Sequence, residues 1–292
     1  MGLSNDTYGM FKLGNMGAGE ISQDSWDIDP QLMQQYAVQT LVRGRNWAQA
    51  GNGFQYTSAN FGGVTLEGQY ELTNTPGNWN GTSGGGGTQP SNLGNPQGRT
   101  DGIKVVYTGG SVELLAIYDE VRDQKGQFSD VYTTSRTGIV GGTYVWGPLK
   151  VYIGYQRLSA PNATFANQTN AVTGTLPTGV TGAPTAVNHE WGGLAWQVSP
   201  FVSVTGAVFH ANANNGNGNA TMYTLAGTYN LSKTTFLHTE LAYVTNSSTS
   251  NVGLGNGYSD YYGPNTNEGG TSNAPNYGKN QFGVNVGIMH MF

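Results

Sequence analysis

Six charged side chains crowd one stretch of the chain: Glu20, Asp24, Asp27 and Asp29, then Arg43 and Arg45. Acids at this density could bind a cation, move protons or set up an electric field. Asp27-Ile28-Asp29 offers two carboxylates to a cation, but a Ca²⁺ site takes about six to eight oxygens and usually a sharper turn. The four histidines (His189, His210, His238 and His290) show no H-E-x-x-H or related ligand spacing. Gly253-Leu254-Gly255-Asn256-Gly257 imitates a phosphate fingerprint but lies in a polar loop without the flanking strand and helix. For hydrolysis, His238 is the only plausible base, and its neighbours Thr235 and Glu240 do not make a nucleophilic set. Neither a metal nor a cofactor is expected, and no enzyme activity. The remaining chemistry is electrostatic. Opposed charges in a confined, partly dehydrated space interact far more strongly than on open surface; the plainer alternative is a solvated surface loop.

Composition limits where such a space could be. The 292 residues include 46 Gly, 17 Tyr and no Cys; 10% are charged, 37% are hydrophobic, and the net charge is −5. Soluble domains usually carry about 25% charged residues and roughly 7% Gly. The missing charge is replaced by Gly, Asn, Thr, Ser and Gln rather than by apolar bulk. No window approaches the ~18 apolar residues of a transmembrane helix. A transmembrane strand needs only about 9–11 residues, every second one apolar. The acidic balance argues against a nucleic-acid partner. Met1-Gly2-Leu3-Ser4 opens in a polar stretch with no signal peptide.

The elements that would hold the charges follow a rhythm. Tight turns are expected near Asp6-Thr7 and at Asn60-Phe61-Gly62-Gly63, Gly109-Gly110, Gly147-Pro148, Ser199-Pro200 and Ser232-Lys233. Between them lie long polar stretches at about 16–51, 73–100, 122–136, 159–188 and 247–280, and a shorter one at 213–219. The flanking segments alternate in polarity. Tyr223, Leu225, Gly227, Tyr229 and Leu231 share one face; Phe282, Val284, Val286, Ile288, His290 and Phe292 share another. A period of two means strands. Segment 111–121 alternates poorly, because Leu115 and Ile117 fall on the face of Glu113 and Asp119.

About twelve strands are counted after a short N-terminal remnant. Short turns at one end and long loops at the other describe a transmembrane antiparallel up-and-down β-barrel, with Tyr and Trp at strand ends suiting the lipid–water boundary. A soluble sandwich would turn its apolar faces onto a second sheet. Parity places Glu67, Glu71, Lys104, Lys150, Gln156, His238 and Glu240 opposite the apolar sets, and Lys12 opposite Phe11 and Leu13. These would line the interior wall, either meeting solute or pairing among themselves to keep the barrel round.

Several motifs agree in order and spacing. Val286-Gly287-Ile288-Met289-His290-Met291-Phe292 is similar to the V-G-L-x-H-x-F terminus of the general porins of β-proteobacteria. Asn52 to Gly63, Tyr229-Asn230-Leu231-Ser232-Lys233-Thr234-Thr235, the Ser199-Pro200 turn, and Gly2-Leu3-Ser4-Asn5 with Phe11-Lys12-Leu13-Gly14 resemble further segments of that family. Phe54, Ala59 and Asn15 depart from its pattern. The resemblance spans residues 1–292 as one barrel and implies a sixteen-stranded trimeric wall in the outer membrane. It begins near the family's fourth strand, so a signal peptide and about four strands lack counterparts and a truncated sequence is expected.

The resemblance further implies that loop 16–51 folds inward as a constriction, with Glu20, Asp24, Asp27 and Asp29 facing basic groups, and Arg43 and Arg45 at its far end. It makes Arg122 a pore-facing residue and Phe292 part of the signal read by the barrel-assembly machinery. Small hydrophilic solutes and ions would pass by diffusion; the loop's four acids against two bases, with the net charge of −5, favour a weak cation preference. Lipid and lipopolysaccharide would surround the wall. The competing readings are an adhesin or structural barrel with long exposed loops and, more remotely, a barrel hydrolase.

Overall fold

The computed structural model describes residues 1–15, 21–32, 34–46, 52–71, 99–123, 125–167, 176–255 and 275–290. Glu20 and Phe292 lie outside the described residues, as do most of the polar stretches 73–100 and 247–280. Thirteen strands form one sheet among the described residues: β1 (Gly2–Asn5), β2 (Gly9–Asn15), β3 (Asn52–Thr57), β4 (Val64–Glu71), β5 (Thr100–Gly109), β6 (Val112–Val121), β7 (Arg136–Trp146), β8 (Leu149–Ser159), β9 (Ala186–Ser199), β10 (Val202–Ala213), β11 (Asn219–Asn230), β12 (Thr235–Asn246) and β13 (Gln281–His290). Each pairs with its neighbours in chain order, so the sheet is an antiparallel meander running from β1 to β13. Twelve longer strands thus follow the short β1, as the turn rhythm predicts.

The connections obey simple turn chemistry. Gly110 and Gly147, each with φ of 57°, close the β5–β6 and β7–β8 hairpins in the left-handed region open to Gly. At the β3–β4 turn the Asn60 side-chain oxygen accepts a hydrogen bond from the Gly63 N–H at 2.8 Å. These short turns share one rim, and the long connections share the other.

Register aligns the outer side chains in rows. One row runs Leu114, Gly142, Ile153, Gly192, Val208, Tyr223, Tyr243 and Phe282 across eight strands. Tyr223, Leu225 and Tyr229 are each about half exposed, and Ile153, Val286 and Ile288 more so. An apolar band repeated on nearly every strand far exceeds the few hundred Å² of exposed patch typical of a soluble protein. It suits a hydrocarbon surround. Tyr144, Trp146, Trp196 and Tyr229 stand outward near the short-turn rim, and Tyr118 and Tyr155 outward toward the other.

The sheet curls. Arg43 bonds Asn251, just beyond β12, and Arg45 bonds Asp119 on β6. Two residues span at most about 7 Å of chain. In a flat sheet β6 and β12 would lie about 29 Å apart, six spacings of ~4.8 Å. The wall therefore wraps around the loop between β2 and β3.

Candidate functional site

The interior is organised by that loop. Its first described part is a 3₁₀ helix, η1 (Ile21–Ile28), with Ser22, Ser25 and Ile28 buried along one edge and Ile21 buried with them. Ile28 and Ile21 pack with the inward side chains Leu115, Ile117 and Ile139 in one apolar cluster. Burying each isoleucine stabilises the docked loop by about 1.5–3 kcal/mol. This explains the irregular pattern of β6: Leu115 and Ile117 do point inward beside Glu113 and Asp119, and the loop keeps them dry. Trp191 on β9 donates its indole N–H to the Ile28 carbonyl at 2.9 Å. Gly141 and Gly154 leave room for Ile28 and for the Trp191 ring; a Cβ at Gly154 would sit 2.1 Å from that ring.

The acidic side chains of η1 lie half-buried beside the wall. Asp24 pairs with Lys104, whose Nζ also lies 3.4 Å from Glu67. Glu67 accepts hydrogen bonds from the Gln55 amide at 2.7 Å and the Thr57 hydroxyl at 2.9 Å. Lys12 sits across from Gln55 on the same inward face. Burial pushes the Asp27 carboxyl up to about 6, and repulsion from Glu113 and then Asp24 adds to it. Burial also raises Asp24, against the pull of Lys104. Glu113, inward on β6, thus belongs to this acidic group. The mixed pattern of segment 111–121 carries its signal, since the face that looked too apolar to be interior is the interior.

The rest of the loop is anchored rather than open. Asp29 is fully buried and accepts hydrogen bonds from the backbone N–H groups of Gln31 (3.0 Å) and Val38 (3.3 Å). The Tyr36 N–H donates to Glu240 at 3.1 Å, holding the loop to β12. Glu71 is buried at the end of β4.

Arg43 and Arg45, expected among the constriction charges at the far end of the loop, are buried against the wall. Arg43 is buried, donating to Asn251 at 2.9 Å and lying 5.5 Å above the Tyr132 ring. Arg45 pairs with Asp119 at 3.0 Å and donates to the Ser135 hydroxyl at 2.9 Å and carbonyl at 3.0 Å. A buried charge needs such partners, and both guanidiniums find them on the wall.

Arg122 also departs from expectation. It continues the outward parity of Tyr118 and Glu120, pairs with Glu120, and stacks 4.5 Å over Phe128. It stands on the outer flank, not the inner. Lys150 and His238 do face inward, with Gln31, Tyr152 and Glu240, around a cavity of about 500 Å³ between the loop and β8–β12. Lys150 lies 4.9 Å from the Tyr152 ring. Among the described residues no group of His, Cys, Asp and Glu is arranged to hold a metal, and no helix is long and apolar enough to cross a membrane.

An antiparallel wall, apolar outside and polar within, with one long loop folded into its interior, defines an outer-membrane channel of the β-barrel class. A profile of the Gram-negative porin family matches residues 1–249, and the chain belongs to that family. Its place is the outer membrane and its activity passive diffusion through the barrel.

No curated protein sequence matches significantly, but solved structures do. The anion-selective porin from Comamonas acidovorans superposes with a TM-score of 0.69 at 19% identity, over 100% of this chain and 76% of that one. OmpT of Vibrio cholerae gives 0.60 at 14% identity over 99% and 78%; its trimer form gives 0.57 at 14% over 97% and 77%. OmpF of Salmonella typhi, in complex with daunomycin, gives 0.58 at 13% over 82% and 68%. At these identities the likeness is one of fold.

Proposed function

We propose that the channel passes small hydrophilic solutes with a weak preference for cations, set where the acidic side chains of η1 lie beside the wall. One observation carries this reading: the loop's two arginines are buried and paired, whereas its acids Asp24 and Asp27 stay on the interior side. Around them stand Glu67 and Glu113 against Lys12 and Lys104. Four acids against two lysines leave an acidic excess, and a confined low-dielectric passage amplifies it. The 16–51 loop acts as the constriction, and the chain works without catalysis. A homotrimer, as in the Vibrio cholerae relative's trimer form, is its assembled state, surrounded by lipopolysaccharide and inserted by the barrel-assembly machinery through Phe292.

The test is a reversal potential across a planar bilayer under a KCl gradient. Modest K⁺ preference is expected, reduced in Glu113→Gln. A chloride preference in the unaltered protein overturns the proposal, and a silent bilayer favours the adhesin or structural-barrel reading.

A further inference from the structure

On the outer flank, one stretch of the apolar band is broken by a groove lying below a row of guanidiniums. Register places Gly192 of β9 between Ile153 of β8 and Val208 of β10. With no side chain there, a depression of about 680 Å³ opens, lined by Val140, Ile153, Tyr155, Glu190, Val208 and His210. That volume lies within the ~300–1,000 Å³ typical of small-molecule sites.

Toward the long-loop rim the next outward row holds Val140, Tyr155, Glu190 and His210, and the one beyond it reads Tyr118, Gly138, Arg157 and Asn188. The next reads Glu120, Arg136 and Ser159. Arg136 and Arg157 are therefore diagonal neighbours, roughly 7–8 Å apart at most by the usual strand spacing. A Cβ at Gly138 would have nothing within 4 Å, so the space between the two side chains is open.

Both arginines are exposed, and both are braced. Arg136 lies 4.4 Å from the Phe128 ring centroid. Arg157 donates to Asn188, which also accepts from the Tyr155 hydroxyl at 2.9 Å. Glu120, which is 3.9 Å from Arg136 and pairs with Arg122, and Glu190 at the groove mouth are the opposing acids. With Arg99 and Asp101, the ion pair across from Glu120, four arginines stand against three acids, a positive surplus of one above an apolar trough.

We propose that this groove binds a phosphorylated lipid of the outer leaflet, an acyl chain lying along Ile153, Gly192 and Val208 and the phosphate between Arg136 and Arg157. The reading rests on the strands spanning the membrane with long loops outside. A guanidinium fork matches phosphate geometry, and the edge of the hydrocarbon layer weakens screening.

The test is native mass spectrometry of the full chain in detergent with diphosphoryl lipid A, the same lipid without phosphates, and inorganic phosphate. Arg136→Gln/Arg157→Gln and Gly192→Leu are each expected to lower lipid retention roughly tenfold, about 1.4 kcal/mol, with single-channel conductance unchanged. Equal retention in both variants overturns the proposal. So does equal binding of the phosphate-free lipid, or displacement by inorganic phosphate at matched concentration. Self-association abolished by Gly192→Leu would assign the groove to a second copy instead. Loss of conductance with lipid still retained would strike the channel reading and leave this one standing.

Discussion

Arg45 gives the sharpest test of how the interior loop is held. Its guanidinium and the Asp119 carboxylate are both almost wholly excluded from solvent and lie 3.0 Å apart. Ser135 takes two further hydrogen bonds from the same side chain, at 2.9 and 3.0 Å. Arg45→Ala leaves the Asp119 charge buried without its counter-ion, a change that costs about 3–5 kcal/mol. The strand ladders do not depend on this pair, so the cost falls on loop docking. At ~1.4 kcal/mol per factor of ten, the ratio of undocked to docked loop rises roughly a hundred- to several-thousand-fold.

Chymotrypsin, whose targets in the loop include Tyr36 and Leu41, reads that ratio while opening is fast relative to cleavage. Faster loop cleavage with an intact barrel is expected, together with a larger and noisier single-channel conductance. Asp119→Asn tested alone and combined with Arg45→Ala completes a double-mutant cycle. Unchanged cleavage in Arg45→Ala, or additive single effects within ~0.5 kcal/mol, would refute the anchoring argument.

Three other outcomes are expected. Because the Asp27 carboxyl titrates at about 6, it is neutral below that pH and charged above it; K⁺ preference measured by reversal potential should rise between pH 5 and 7, and flatten in Asp27→Asn. Gly154→Ala drives a Cβ into the Trp191 ring and should cost about 1–3 kcal/mol, seen as a lower urea midpoint and a changed tryptophan emission on refolding into vesicles. Leu225→Arg, on the outer flank of β11, should cost about 2–4 kcal/mol at the bilayer midplane in the same titration. An effect near zero there would argue that Leu225 does not face lipid.

Much of the wall was readable from residues alone, for a physical reason. β11 and β13 have one flank in lipid and one in water, so their sequences alternate cleanly, and the β5–β6 and β7–β8 turns carry the glycines their backbone requires. β6 was obscure because its inner flank is half apolar: Leu115 and Ile117 are covered by Ile21 and Ile28, residues nearly a hundred positions earlier. The same long-range dependence hid the fate of Arg43 and Arg45. A loop arginine reads as solvent-facing until its partners are known, and Asp119, Ser135 and Asn251 are distant in sequence. Arg122 is different. It lies just beyond the end of β6, where the mixed alternation of that strand gives no flank, and its pairing with Glu120 places it.

The division of labour along η1 has a practical use. Ser22, Ser25 and Ile28, spaced by three and so on one edge of a 3₁₀ helix, are buried against the wall together with Ile21, while Asp24 and Asp27 are only half-buried on the adjacent edge. Asp24 also ties the helix to Lys104 of β5, whereas no ion pair to the wall involves Asp27 among the described residues. On the proposed cation preference, a sensor engineer would recode the passage at Asp27 first, leaving the attachment of the loop in place.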